Sequence, residues 1–459
     1  MAFMTYADAL AYLDAHVNYQ TGVVNDRVGT VPWTAPLPSA SNAGLAPRRL
    51  DPPSLSRIRT ILAYLGDPQL DLQILHITGT NGKGSTARMA TELLIASGLS
   101  VGTLISPHLV TINERLSFNG LPISDEAFAE VIGAVALAEK TSGETCSHFE
   151  LVTAAAFRWF ADLAVEAAVI EVGAGGRWDA TNIADGIVAS ITNIALDHME
   201  WFGDTKLDIA REKVGIIKPG CIAVIGETDP EIASYLQREA GIVGASQILM
   251  KGVDFAADHN QVAVGGRLCT LRTQSTSYPD IVVPMHGAHQ GENACVALAS
   301  VEAFLGAPLA PDIVRAGFAN VTHAGRMEII ERNPLTILDG AHNPAGAAAA
   351  AATLSEEFAA NPGRVILIGL LTGRDPGDVL DALEAQRAHL VVVCPPPSPR
   401  AMDPEILVAE CHKRGIPVVV EHDLRKAITL AQADAAADDC VLITGSLYLV
   451  GAVRAMLVP

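Results

Sequence analysis

Four things are scarce or absent in this sequence, and each removes a class of function. No run approaches the about 20 uninterrupted apolar residues that a membrane span needs, so no membrane contact is expected. The segment from Met1 to Tyr19 holds Asp8 and Asp14 without a basic cluster. It reads as an amphipathic helix opened by the Thr5-x-x-Asp8 box rather than as a leader, and a cytoplasmic location is expected. The seven cysteines, at 146, 221, 269, 295, 394, 411 and 440, are odd in number and form no C-x-x-C pair, which argues against a disulfide framework and a zinc site. Positive charge is short as well: 31 Lys and Arg face 51 Asp and Glu, a net charge of −20, whereas a nucleic-acid partner would need a basic face to neutralise its phosphates. A small anionic substrate stays open, because metal ions and a few arginines supply a local positive focus.

What is present starts with Ile74-Leu75-His76-Ile77-Thr78-Gly79-Thr80-Asn81-Gly82-Lys83-Gly84-Ser85-Thr86, an apolar run ending in a glycine-rich turn. Glycines let the backbone curl so that N–H groups point at an anion, and the following helix adds its positive end. Lys83 contributes a movable charge, and Ser85 or Thr86 can ligate Mg²⁺. The spacing departs from G-x-x-x-x-G-K-[ST], since Ile77 stands at the first glycine position and Gly84 follows the lysine; a plain glycine turn before a helix has the same outline.

At 459 residues the chain exceeds what one core supports, so two domains are expected. A Pro-rich stretch at 20–53 reads as a long loop. A helical pattern from Arg57 to Gly66-Asp67-Pro68 then leads into the loop strand, and a helix at 83–97 with a strand at 101–105 completes a βαβ unit. Helical periodicity at 125–139 and 150–163, with buried-looking strands at 167–172 and 187–192, predicts a mostly parallel sheet covered by helices. Residues 245–284 alternate in short segments and predict a small antiparallel layer. From 336 to 444 strands and helices alternate again, which predicts a smaller C-terminal doubly wound α/β domain and a site in the crevice between the two.

Metal ligands for a phosphate loop are available where strands should end: Ser106, Glu171 and Asp197-His198. Taken singly they read as a cap, a solvated acid and a loop histidine; beside the loop they converge on one sheet edge. The run Glu171-Val172-Gly173-Ala174-Gly175-Gly176-Arg177-Trp178-Asp179-Ala180-Thr181-Asn182 is a second glycine-rich turn, suited to close backbone approach to a ligand. Lys213 lies one turn before the Lys218-Pro219-Gly220 stop, where charge alone makes it a solvated helix lysine.

These motifs, with Ser106-Pro107-His108-Leu109-Val110, Asn113-Glu114-Arg115, Phe149-Glu150, His289-Gln290-x-x-Asn293, Gly325-Arg326-x-Glu328, Asp339-Gly340-Ala341-His342-Asn343-Pro344 and Thr444-Gly445-Ser446, resemble those of the folylpolyglutamate synthase and dihydrofolate synthase family of the Mur ligase superfamily, of the bacterial bifunctional type. The likeness runs in order from about residue 54 to the C-terminus. It implies an ATP-dependent ligase that makes an acyl phosphate from a pterin-bearing carboxylate and captures it with the amine of L-glutamate. By matching positions, Thr80, Asn81, Gly82, Lys83, Gly84, Ser85 and Thr86 would hold ATP phosphates, Asn293 would read adenine, Asp339 would bind ribose and Arg326 would stabilise the transferring phosphoryl group. Ser85, Ser106 and Glu171 would serve one Mg²⁺, and His198 with a carbamylated Lys213 a second, with K⁺ as a further candidate ion. His342 would sit by the reacting centre. Phe149, Asp179 and Ala180 would line a dihydropteroate site, although core packing and turn capping account for Phe149 and Asp179 equally simply.

The resemblance thus implies an ATP-binding domain over 1–293, a glutamate-ligase domain over 294–459, a monomer, and small-molecule partners only: ATP, L-glutamate, and dihydropteroate or tetrahydrofolate. Ala174, Met199 and Ala324 depart from the family pattern without removing a polar ligand, and Leu371-Thr372-Gly373-Arg374-Asp375 departs from a lysine-rich counterpart. Another amide ligase of the superfamily and a phosphate-loop ATPase that forms no amide bond are the alternatives. The first typically carries a nucleotide-sugar domain ahead of the loop, for which 76 residues leave little room; the second would need no partner for Glu171, His198 and Lys213.

Overall fold

The computed structural model describes residues 4–16, 18 and 54–458; the Pro-rich stretch at 20–53 lies outside them. The N-terminal helix is Tyr6–Asp14, shorter than the sequence pattern suggested, and its capping box is formed: Thr5 Oγ1 accepts the Asp8 N–H while the Asp8 carboxylate accepts from Thr5. The main sheet has eight strands, and Ile74–Thr78 lies between Ala167–Glu171 and Val188–Ile191, parallel to both. All five residues of Ile74–Thr78 and of Ala167–Glu171 are buried, as expected for strands covered on both faces. The chain runs outward from the central strand in both directions, so a crevice opens at its carboxyl end. That position is where the glycine turn sits.

One face of this sheet is covered by the helices Lys83–Ala96 and Ala288–Leu305, packed with Leu93, Val169, Leu298 and Val301. The opposite face carries Ser56–Tyr64, Asp125–Ser142 and His148–Asp162, joined through Ile61, Phe128, Phe157 and Ile170. Burying each such side chain contributes about 1.5–3 kcal/mol, which fixes the sheet as the rigid base of the site. The antiparallel layer exists as the three strands Ala256–Ala263, Gly266–Arg272 and Ser277–Val283. Gln247–Met250, expected within that layer, instead pairs in parallel with Ile222–Ile225 as the last strand of the main sheet, because the helix Pro230–Val243 provides the crossover. At the other edge a short hairpin, Leu116–Phe118 and Leu121–Pro122, runs antiparallel.

The second parallel sheet, with strands Leu335–Leu338, Cys440–Thr444, Arg364–Ile368, Leu390–Val393 and Val418–Val420 in that spatial order and Glu328–Arg332 antiparallel at its edge, is the expected C-terminal α/β unit. The helix Ala288–Leu305 runs across position 293, and Ala294, Leu298, Val301 and Phe318 share the core of the first sheet. The core around the second sheet starts at Met327. All seven cysteines are buried and unpaired, and among the described residues no helix is long and apolar enough to cross a membrane.

Candidate active site

A cleft of about 530 Å³ lies between the carboxyl edges of the two parallel sheets. Its floor is the glycine turn. The first amide to close the helix Lys83–Ala96 is Thr86 N–H, on Gly82 O at 2.9 Å, which leaves the preceding N–H groups at the helix start directed at the cleft. Gly82 is required twice over: its φ is +80°, and a Cβ there would stand 2.3 Å from Asn293 Oδ1. Thr80, Asn81, Gly82, Lys83, Gly84 and Ser85 line the cleft. Thr86 does not; one residue further turns it about 100° around the helix, into full burial with Oγ1 unpartnered among the described residues.

Two ammonium groups meet on one carbonyl here. Lys83 Nζ donates to Gly79 O at 3.1 Å and Thr80 O at 3.2 Å, while Lys213 Nζ, at the end of the helix Lys206–Lys213, donates to the same Gly79 O at 2.8 Å. Burial lowers the pKa of both, Glu171 partly restoring that of Lys83; Lys213 is pushed well down by desolvation and then by the Lys83 charge. Lys213 is therefore not the solvated lysine its charge suggested. Across from them Glu171 is buried, its carboxyl pKa raised by desolvation against the pull of Lys83, and its Oε2 accepts the Ser106 N–H at 2.9 Å.

Among the described residues no three His, Cys, Asp or Glu side chains gather into a metal site. The candidate cation donors are a mixed set of oxygen, hydroxyl and imidazole, and two of them are buried atoms with no partner among the described residues, Ser106 Oγ and His198 Nδ1. Such orphans fit a hard cation that brings the missing bond. His198 stacks on Trp201 at 5.0 Å and 14°, and burial, with His342, Lys83 and Lys213 nearby, pushes its pKa down to about 3.

The other wall comes from the second sheet. Arg326, Asp339 and His342 line it. His342 Nδ1 lies 2.8 Å from Gly340 O, which fixes Nδ1 as the protonated nitrogen and leaves Nε2 able to take a proton, 3.7 Å from Asp197 Oδ2. Asp339 accepts the amides of Ala341 and Met327, both at 2.9 Å. Asn293, beside Gly82 of the glycine turn, donates to Gln290 Oε1 at 3.0 Å.

Residues 77–301 match the model of the Mur ligase middle domain, and residues 325–447 match the Mur ligase, glutamate ligase domain. A dihydrofolate synthase/folylpolyglutamate synthase of Mycobacterium tuberculosis is 42% identical over 89% of this chain and 90% of its own length. The chain belongs to the folylpolyglutamate synthase/dihydrofolate synthase family. The solved structure of Mycobacterium tuberculosis folylpolyglutamate synthase complexed with ADP superposes with a TM-score of 0.84 at 40% identity, covering 89% of this chain and 95% of that one. Escherichia coli FolC in complex with DHPP and ADP gives 0.79 at 30% identity, covering 90% and 95%.

In this family member the residues implied for pterin lie beside the cleft rather than on its lining. Phe149 packs on Gly173, where a Cβ would come within 2.6 Å of its ring, and Gly173 itself lines the cleft. Asp179 caps the turn Ala180–Ile183, with Oδ1 taking Thr181 Oγ1–H at 2.6 Å and Oδ2 the Ala174 N–H at 2.9 Å. Ala180 is in the core.

Several contacts were not predicted. Asp197, offered by the sequence as a metal ligand beside His198, is buried and instead accepts from Asn343 Nδ2 at 3.0 Å and from Arg374, the residue in the departing segment. Asn81 and Asn343 exchange amide bonds at 3.0 and 3.3 Å. His323 Nδ1 stands 3.0 Å from Ser85 Oγ, and no sequence signal marked it.

Proposed function

We propose that this chain uses ATP to join L-glutamate to dihydropteroate, to tetrahydrofolate and its glutamate-extended forms, or to both. The observation that carries the reading is the facing of a cation-rich edge, Lys83 and Lys213 around Glu171, by Arg326 and His342 of a second domain within one cleft. The loop amides and Lys83 hold the β- and γ-phosphates. The pterin acid's carboxylate oxygen forms a bond to the γ-phosphorus as the bond to ADP breaks; the glutamate amine then forms a bond to the acyl carbon as phosphate leaves. Arg326 would face the charge that develops on the phosphoryl group, and His342 Nε2 would receive the amine proton; the orientation of His342 by Gly340 O supports this. Positioning and charge neutralisation supply most of the acceleration.

Ser85, Ser106 and Glu171 would hold one Mg²⁺, and His198 with Lys213 a second; the ions would neutralise the triphosphate and polarise its terminal group. The buried amine of Lys213 suits reaction with CO₂, in which an N–C bond forms, a proton leaves and the lysine ends in an anionic oxygen ligand. K⁺ remains a further candidate without assigned donors. A pterin ring against Phe149, with Asp179 and Ala180 beside Gly173, would accommodate dihydropteroate if the packing on Gly173 opens. We draw the domain boundary after Val321, because the whole helix Ala288–Leu305 packs in the first core, and we expect a monomer.

The test is incorporation of labelled glutamate by the purified protein with ATP and Mg²⁺, run separately with dihydropteroate and with tetrahydrofolate. Incorporation with either supports the ligase, and incorporation with both supports bifunctionality. ADP formation that ignores glutamate and both pterins would overturn the assignment.

A further inference from the structure

The helix Pro344–Glu357 lines the cleft with its first turns and ends against the 286–288 turn of the first domain. At its start Asn343 accepts the Gly346 N–H at 2.9 Å and donates to Asn81 and Asp197. Fourteen residues carry the helix about 20 Å onward at 1.5 Å per residue. Ala345, Gly346, Ala349 and Ala350 face the cleft, so the alanine-rich sequence makes a flat wall where larger side chains would fill the space.

At the far end the Glu357 side chain, 2% exposed, crosses to the first domain. Its Oε1 accepts the Gly287 N–H at 2.7 Å and Arg267 Nη1–H at 2.9 Å, and Oε2 lies 2.7 Å from His286 Nδ1. Arg267 is held by Asn260, whose Nδ2 in turn donates to Ala288 O at 2.7 Å. Glu357 thus bonds the turn 286–288 at Gly287 and His286, and the Arg267–Asn260 pair reaches it at Ala288 O. Gly287 has φ +102°, and from that turn starts the helix carrying His289, Gln290 and Asn293 into the cleft.

We propose that Glu357 is a positioning residue for the nucleotide base: it fixes the 286–288 turn, and thereby the Gln290–Asn293 pair, when the glutamate-ligase domain is docked. The inference rests on the reading that Asn293 marks the adenine end of the cleft. Neighbouring Glu356 provides the control, since it pairs with Arg267 at 3.1 Å and has no bond to the turn.

The test is ADP affinity by calorimetry on the purified full chain, with KM values for ATP and glutamate. Glu357→Ala should weaken ADP by about tenfold, the size of a typical coupling between bonded elements, raise KM for ATP alike and leave KM for glutamate within about twofold. Glu357→Gln keeps an acceptor for Gly287 and should recover ADP affinity to within about threefold, and Glu356→Ala should stay within about twofold. Unchanged ADP binding in Glu357→Ala, or equal weakening in Glu356→Ala, would overturn the proposal. Should Glu357→Ala fail to fold, His286→Ala, which spares the Arg267 pair, is expected to weaken ADP about threefold, and no weakening would overturn it too. Asn293→Ala separates the two readings: if it binds ADP as well as the parent, the adenine assignment itself falls; if it is weakened while Glu357→Ala is not, only the positioning role falls.

Discussion

The carboxyl edges of the two parallel sheets face each other across the cleft, yet they treat their polar groups in opposite ways. On the second edge several groups are answered within their own loops: Asp339 takes two amides, Ser446 accepts the Leu449 N–H and Asn343 caps the following helix. On the first edge Ser106 Oγ and His198 Nδ1 lack partners among the described residues, and two lysines crowd one carbonyl. An unsatisfied buried polar group costs about 1–3 kcal/mol, so the first edge carries strain that a bound phosphate and cation would relieve, whereas the second is stable without ligand. The two edges thus differ in how far their polar groups are satisfied before any ligand binds.

Removing a first-edge charge tests that contrast hardest. Lys83→Met should lower kcat by about 10³-fold, as loss of a preorganised charge does, while the thermal midpoint stays level or rises because a buried cation is gone. A fall in both would erase the distinction between the edges. Arg374→Ala, which strips Asp197 of one of its cross-cleft partners, should raise KM for the substrates about 30-fold, the effect of roughly 2 kcal/mol, and small-angle scattering should report a more open molecule. An unchanged scattering profile would show that the contact does not hold the edges together.

Asp339→Asn sharpens the other side. An amide oxygen can replace only one of the two acceptors, so denaturant titration should show a loss of about 1–3 kcal/mol, with kcat changed about tenfold or less. A catalytic loss matching that of Lys83→Met would place Asp339 in the chemistry.

The smallest effect lies away from both edges, where His16 Nε2 meets Glu139 Oε2 at 3.0 Å and Tyr12 Oη also donates to that carboxylate. Although burial opposes both ionised forms, the bond to Glu139 raises the pKa of His16 above 6.5, and the bond from His16 lowers that of Glu139 below 4.5. The His16 contribution is complete below 6.5 and fades as pH rises through its folded value; the Glu139 contribution is complete above 4.5 and fades as pH falls through its own. Amide protection factors in Tyr6–Asp14, corrected for the intrinsic rate, should be highest between those values, with activity in the cleft unaffected by the change. Exchange that is flat with pH would remove the pair's role in docking this helix.

Much of the fold was readable because its signals are local. The glycine turn, the buried strand Ala167–Glu171 and the alternation after residue 336 follow from composition over a few residues, and they fell where expected. The hairpin at 116–122 and the parallel pairing of Gln247–Met250 did not, since which strand a segment joins depends on the crossover that brings it there. The site residues divide in the same way. Lys83, Ser106, Glu171, His198, Lys213, Asn293, Arg326 and His342 all reach the cleft, while Thr86 turns into the core and Phe149, Asp179 and Ala180 stand behind Gly173.

By itself the sequence determined the order of the motifs, the phosphate-binding turn and two α/β units with apolar cores, because these depend on neighbours within a turn or a strand. Only the tertiary structure decided that Lys213 shares a carbonyl with Lys83, that Asp197 meets Arg374 and Asn343, and that His323 reaches Ser85. Those pairs lie between 130 and 240 positions apart or cross the cleft, and their burial and charge exist only once two separately formed sheets have been brought edge to edge.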